Sequence, residues 1–430
     1  MDLPTNSPDG SARMPSRRWR RLLLSILLLP VYLLAIEGAY RGWLFVRGEP
    51  YSAERVRTSF FWSAGERPAP ELPADGLEHN TRFLHPYIGW IDTDTMHAIE
   101  RDVAYFRTPE SAACFDVLVL GGSVAMQFGN EGAEAIEKCL RRDARLAERP
   151  IRVLGYGKLA FKEPQQAMFL TYLLSLGFHP DAVIELDGFN EATLGAANVE
   201  RGVNTTQPYV DLWATLAAGR DTNRSDLELF SDMRSAQQAE RAFARSALDR
   251  GLAHSAVLGT LASRRLAKMQ AESLVKQKRF IDLLSGQSSS IIVHGPGFDG
   301  SPEAAAEDAV RNWYECSLAI SGVCRVHGIV YVHALQPTLL EPDTKPATAD
   351  ELASAKAADS WVTGVRLAYP KMREAGAHLR ANGVHFVDAT GAFREIRTAL
   401  YVDVCHFTPQ GCWPIADIVT RALLEDLPKQ

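Results

Sequence analysis

Five short apolar runs from residue 115 onward constrain the fold more than anything else in the chain. They are FDVLVLGG beginning at Phe115, IRVLGYG at Ile151, DAVIELDG at Asp181, GIVYVHALQP at Gly328 and GVHFVDATG at Gly383. Each is rich in β-branched residues and lacks the strict alternation of a half-exposed strand. Such runs are strands buried on both faces, which belong to parallel sheets covered by helices. The intervening segments EGAEAIEKCLRRDARLA, PQQAMFLTYLLSLG and AAEDAVRNWYECSLAISGVCRVHG supply those helices. The expectation is an α/β fold with a doubly wound parallel sheet.

Two segments fall outside this alternation. Residues 42–110, with ERPAPELPADG and FLHPYIGWIDTD, show no long periodicity and read as an irregular lead-in packed on the main domain, residues 111–430. Between the third and fourth runs the chain detours through residues 192–294. There, DMRSAQQAERAFARSALDRG and TLASRRLAKMQAESLVKQKRFIDLL carry mixed charge and modest apolar stripes, as a surface helical hairpin would. An insertion at the carboxyl end of a central strand is either decoration or a lid over a site. Asn204 in NTT and Asn223 in NRS match the glycosylation sequon, a pattern that chance also produces.

The N-terminus has its own logic. RMPSRRWRR, with Arg13, Arg17, Arg18, Arg20 and Arg21, stands directly before LLLSILLLPVYLLAI. Arginines followed by an apolar run are the mark of a membrane-inserted segment, and residues 19–41 reach the ~20 residues a span requires. AIEGAYRGW offers only a poor small-residue cleavage pattern, which favours an uncleaved signal anchor over a cleaved signal. By the positive-inside rule residues 1–18 form a cytoplasmic tail, and the rest faces the periplasmic or extracellular side.

The formal net charge of −6 provides no general basic field, so nucleic acid is not an expected partner. All six cysteines lie beyond the expected span, where disulfides are permitted. None stands in a CxxC pair, so zinc is not expected. Cys114 precedes a strand and Cys139 lies late in the returning helix, an arrangement that can bring them together. Cys316 and Cys324 sit on one expected helix, roughly 12 Å apart in rise, too far to bridge. Each of the six reads equally as a buried thiol.

The chemistry-bearing residues cluster at strand ends. VLVLGGSVAMQFGN places Ser123 after Gly122 and at the opening of a helix, exposed where loops of a doubly wound sheet form the binding crevice. The same tripeptide also reads as a turn with an N-cap. LGYGKLAFKEPQQ ends the second strand, and ELDGFNEA ends the third, with Gly188, Asn190 and Glu191. Asn190 can aim its amide at the crevice as an oxyanion donor, or serve only as a turn residue. Near the C-terminus, DVCHFTPQG sets Asp403 three positions before His406. That spacing lets the carboxylate hold Nδ1 of the imidazole while Nε2 points at a nucleophile, although Thr408 could make the loop merely a helix cap.

Serine after strand one, a glycine-containing loop after strand two, Gly-x-Asn after strand three and Asp-x-x-His before the last helix resemble, in order, the blocks of the SGNH hydrolases, or GDSL esterase/lipase family. The resemblance runs from Phe115 to the C-terminus apart from the detour, with looser similarity of HPYIGW and ALQPTLL to membrane-anchored bacterial members. It implies a three-layer, flavodoxin-like sheet and a serine esterase that needs no metal or organic cofactor. It further implies Ser123 as nucleophile, His406 as general base and then acid, and Asp403 as its orienter. The oxyanion hole would combine the Ser123 amide, a second-block amide and the Asn190 side chain, with Gly122 and Gly188 in support. Two departures stand out: Gly-Gly-Ser replaces Gly-Asp-Ser, and Ala160 aligns with the family's oxyanion glycine, Gly157 being the other candidate. The expected substrate is an O-acylated small molecule, glycan or lipid. Acyl transfer to a glycan hydroxyl, or a non-catalytic envelope scaffold or glycan-binding module on the same fold, are the alternatives.

Overall fold

The computed structural model describes residues 17–64, 82–217, 224–285 and 296–427, except for the side chains of 17–27, 214, 215, 217, 224–228 and 281–285. The chain opens with α1 (Arg17–Val46) and α2 (Ala53–Ala64), then an antiparallel hairpin of β1 (Arg82–His85) and β2 (Gly89–Asp92), then α3 (Thr93–Phe106) and α4 (Pro109–Ala113). The α/β alternation follows: β3 (Phe115–Gly121), α5 (Ser123–Glu131), α6 (Ala133–Leu140), β4 (Ile151–Gly155), α7 (Gln165–Ser175), β5 (Ala182–Asp187) and α8 (Phe189–Glu200). Next come α9 (Val210–Ala217), α10 (Arg224–Asp249) and α11 (Ala256–Ser285). The alternation resumes with α12 (Pro302–His327), β6 (Val330–Leu335), α13 (Ala349–Ser354), α14 (Asp359–Ala381), β7 (His385–Asp388) and α15 (Cys412–Asp426).

The five expected strands form one parallel sheet in the order β4-β3-β5-β6-β7. The chain winds outward from β3 to β4, returns across β3 to β5, and winds the other way. The order therefore reverses between β3 and β5, and a crevice opens at the carboxyl ends of those two strands. Both are buried along their whole length, as their uninterrupted apolar runs require.

The lead-in is more regular than its composition suggests, since α2 and α3 both lie within residues 42–110. Helix α3 buries Ile99 and Phe106, and Asp92 caps its start by accepting from the Thr95 amide at 2.8 Å. A single buried stripe flanked by Pro-rich sequence is too short a periodicity to stand out. The detour also begins later than residue 192. Helix α8 runs to Glu200 and buries Phe189, Ala192, Leu194 and Asn198, so it belongs to the core. Its Ala and Gly residues gave little apolar contrast. Helices α10 and α11 pack on each other, and Phe60 and Ala64 of α2 join Ala244, Ala247, Ala262 and Leu266 in a second apolar core.

Helix α1 runs continuously through Pro30, and Leu29, Val31, Leu33, Leu34 and Ile36 are exposed along it. Residues 1–16 and the side chains of 17–27, on which the expected tail and span depend, lie outside the described residues. Among the described residues no helix is long and apolar enough to cross a membrane. At its C-terminal half, Glu37 accepts from Ser255 Oγ at 2.7 Å and from the amides of Ala256 and Val257, capping the start of α11. Asn204 folds onto its own sequon, accepting from Thr206 N at 2.9 Å and Thr206 Oγ1 at 2.8 Å, while Asn223 lies outside the described residues.

All six cysteines carry free thiols. The expected Cys114–Cys139 pair is not formed: both thiols are buried and free, Cys114 just before β3 and Cys139 near the end of α6.

One face of β5 and β6 carries a buried polar belt. Glu185 and Asp187 on β5 lie beside Tyr331 and His333 on β6, beneath Trp313 and Ser317 of α12. Trp313 Nε1 donates to Asp187 Oδ1 at 2.7 Å, and Tyr331 donates its hydroxyl to Glu185. Glu163, from the loop after β4, is buried as well, and its Oε1 and that of Glu185 have no hydrogen-bond partner among the described residues. Burial pushes both well above the ordinary carboxylate range. Carboxyls protonated when folded and ionised when unfolded bind more protons in the fold, so their contribution to stability declines as pH rises from about 4.3 toward the raised folded value. Glu163→Gln removes one of these two carboxyls. Urea midpoints at acidic and mildly alkaline pH are expected to differ less in this variant than in the wild type; an equal difference contradicts the raised pKa of Glu163.

Candidate active site

The crevice at the β3/β5 reversal gathers residues from three loops. Ser123 is the first residue of α5, next to unpaired helix N–H groups. Gly121 turns the chain with φ 133, where an added Cβ would overlap the Leu186 carbonyl, so only glycine fits. Ser123 is buried rather than exposed, at 6% accessibility.

His406 Nε2 lies 2.8 Å from Ser123 Oγ, and His406 Nδ1 lies 2.7 Å from Asp403 Oδ2. Asp403 Oδ1 accepts from the amides of Cys405 at 2.8 Å and His406 at 2.7 Å. One carboxylate thus folds the loop and orients the ring, which explains the three-residue spacing. Gln127, one turn along α5 from Ser123, donates to the Phe407 carbonyl and ties the two segments together. Burial pulls the imidazole pKa down, but the Asp403 carboxylate overrides this and holds it well above the usual histidine value. Burial likewise pushes Asp403 up, yet the imidazole and the two backbone N–H groups keep it below the ordinary range.

The other expected residues meet on the opposite side of Ser123. Asn190 Nδ2 donates to the Phe161 carbonyl at 2.7 Å, leaving its second N–H for another acceptor. Ala160, one residue before Phe161, adopts φ 60 in a turn closed by Phe161 N to Lys158 O at 3.2 Å. A left-handed alanine costs about 1 kcal/mol more than glycine, and this position is where a glycine would be at ease. Gly157 serves another purpose: an added Cβ would overlap the backbone of Ala125 and Met126, so it lets the loop pack against α5. Gly188 has φ 105 and opens α8, with Leu335 filling the space of any side chain.

Gly122 occupies the position where the resembled family carries aspartate. A Cβ there would overlap Asn190 Nδ2 and crowd the Phe161 carbonyl. The space of the missing side chain is thus taken by the amide of Asn190. Gly122→Ala is expected to displace that amide and break its 2.7 Å bond to the Phe161 carbonyl, which a crystal structure of the variant checks. An unmoved Asn190 side chain in a folded Gly122→Ala protein contradicts this placement.

Sequence reading misses one neighbour of the site and assigns no role to another, Glu191. Trp62 on α2 lies over His406, with ring centroids 4.8 Å apart and a tilt of 31°. Helix α2 is fixed there by Arg55, whose Nε donates to the Tyr401 carbonyl at 2.9 Å, and by Gln410 Nε2 donating to Glu54 at 2.6 Å. The aromatic cluster SFFW was the available signal, masked by the irregular composition around it. Glu191 is buried between the loop that holds Ala160 and the turn that opens α8 ahead of Asn190.

Among the described residues, two side-chain groups have the spacing of metal ligands: Asp403, Cys405 and His406, and Glu185, Asp187 and His333. In the second, His333 Nδ1 bonds Ser317 Oγ at 2.7 Å and Nε2 bonds Asp187 Oδ1 at 2.8 Å. Both ring nitrogens are engaged, so the group is a hydrogen-bonded network. In the first, the ring nitrogens are engaged by Asp403 and Ser123.

No family model matches the chain, and no curated protein matches it. Among solved structures, it is similar to a candidate acylhydrolase from Bacteroides fragilis NCTC 9343, at 9% identity and a TM-score of 0.36, covering 79% of this chain and 100% of that one. It is also similar to LAE5, an alpha/beta hydrolase enzyme from the metagenome of Lake Arreo, Spain, at 12% identity and a TM-score of 0.33, covering 72% of this chain and 94% of that one. Likeness at this level assigns neither family nor activity.

Proposed function

We propose that this chain is a serine ester hydrolase of the SGNH type, acting on an O-acyl ester through Ser123, His406 and Asp403. The observation that carries the reading is the continuous hydrogen-bonded line from Asp403 through His406 to Ser123 Oγ, at 2.7 and 2.8 Å, ending at a helix N-terminus. With Nδ1–H donating to the carboxylate, Nε2 is free to accept the serine proton. Ser123 Oγ attacks the ester carbonyl and forms a tetrahedral intermediate. Its oxyanion is received by the amides of Ser123 and Ala160 and the second N–H of Asn190. His406 then protonates the departing alcohol, and a water activated by the same imidazole releases the acid.

The reading extends to location. Five arginines before an apolar run, and the exposed apolar row on α1, support a signal anchor with the sheet domain on the extracytoplasmic side. Hydrolysis of p-nitrophenyl acetate by the purified protein, followed by an acyl-chain-length panel, tests the activity. Absence of turnover across the panel contradicts it. Protease protection of the intact chain in membrane vesicles tests the topology.

A further inference from the structure

We infer that Glu191 is a positioning residue that clasps the loop after β4, which carries Ala160, to the start of α8, which carries Asn190. The inference rests on the acyl-transfer reading and deepens it. The proposed donors come from three elements: the Ser123 amide from the start of α5, the Ala160 amide from the loop after β4, and the Asn190 side chain from the start of α8. The first is fixed by its helix. The second sits on an irregular loop that holds an alanine at φ 60, a conformation the alanine does not favour by itself.

The Glu191 carboxylate spans that loop and the turn before α8. Its Oε1 accepts from the Glu163 amide at 2.8 Å and from Gln166 Nε2 at 3.3 Å. Its Oε2 accepts from the Gly188 amide at 2.8 Å. One side chain thus bonds backbone N–H groups of both segments, in a site whose burial pushes the Glu191 pKa up to about 8. Asn190 adds a second tie through Phe161, in the same loop. Glu191 is 2% exposed and follows Asn190 directly, so it acts on the oxyanion through its neighbours without touching substrate. This gives a buried carboxylate in the core a purpose that helix capping alone does not.

Glu191→Gln keeps the size but turns an NH₂ group toward one of the two backbone N–H donors, releasing one loop. The expected result is a kcat for p-nitrophenyl acetate lower by roughly 10–100-fold with KM within about twofold. The inhibition constant of phenylboronic acid, which forms a tetrahedral anion on the serine, should rise in parallel. Gln166→Leu removes one side-chain donor and leaves both backbone bonds, and should show the same pattern at roughly 2–10-fold. Unchanged kcat and boronate affinity in Glu191→Gln overturn the assignment, as do parallel losses in KM with boronate affinity intact. If Glu191→Gln does not fold, the same outcomes in Gln166→Leu decide it. A fluorophosphonate adduct on wild-type Ser123 separates the two levels: no adduct sinks the esterase reading, whereas an adduct with unchanged boronate affinity in the variants sinks only the clasp.

Discussion

Ser123→Ala is expected to lower kcat toward p-nitrophenyl acetate on the order of 10⁴–10⁶-fold, while the thermal midpoint stays near that of the wild type. The size of the effect follows from the unit the serine belongs to. Its oxygen is both the atom that forms the acyl bond and the partner that His406 Nε2 holds at 2.8 Å. Without it the imidazole has no proton to accept, and residual rate comes only from the oxyanion donors. Stability should change little, because the methylene remains packed and the lost hydroxyl leaves an imidazole nitrogen beside the crevice. Steady-state kinetics of the folded variant checks this, and a loss below about tenfold would mean that another nucleophile acts.

Asp403→Asn is expected to lower kcat by roughly 10³–10⁴-fold and to move the acid limb of the pH profile downward. Asn keeps the Oδ1 acceptor for the Cys405 and His406 amides, so the loop should hold its shape. Its NH₂ group, however, faces His406 Nδ1 where Oδ2 stood, and drives the ring proton to Nε2. A protonated Nε2 cannot take the serine proton. The pH argument runs through the imidazole. In the wild type the neutral ring is the base, and the Asp403 carboxylate raises its pKa well above the usual value. Activity is therefore lost as pH falls through that raised value, above about 6.5. With the carboxylate gone, burial dominates and the pKa drops, so the remaining activity persists to lower pH. Profiles of kcat/KM measure both effects, and an unshifted acid limb contradicts the role given to Asp403.

The sheet was legible because β3 and β5 are buried on both faces, which leaves uninterrupted apolar runs. Asp403 and His406 were legible because one short loop performs two tasks, and the spacing records both. What could not be read depends on contacts between distant segments. The burial of Ser123 comes from the base loop, and Trp62 covers His406 from a helix more than 300 positions upstream. Gly122 departs from the motif because the amide of Asn190 fills the space a side chain there would need. Glu185, Asp187 and His333 were hidden inside apolar strands, since their pairing across β5 and β6 is a matter of register. Helix α5 ends and α6 begins at Gly132, where a Cβ would overlap the Phe128 carbonyl and crowd Cys412, so the break in one apparent helix was set by tertiary packing.

The central claim is that Ser123 is a nucleophile activated by His406. Labelling the intact protein with a fluorophosphonate, and locating the adduct by peptide mass spectrometry, addresses it most directly. The account predicts one adduct, on Ser123, that is lost in Ser123→Ala and forms far more slowly in His406→Ala. An unlabelled wild type, an adduct on a different residue, or labelling that persists in Ser123→Ala would contradict it.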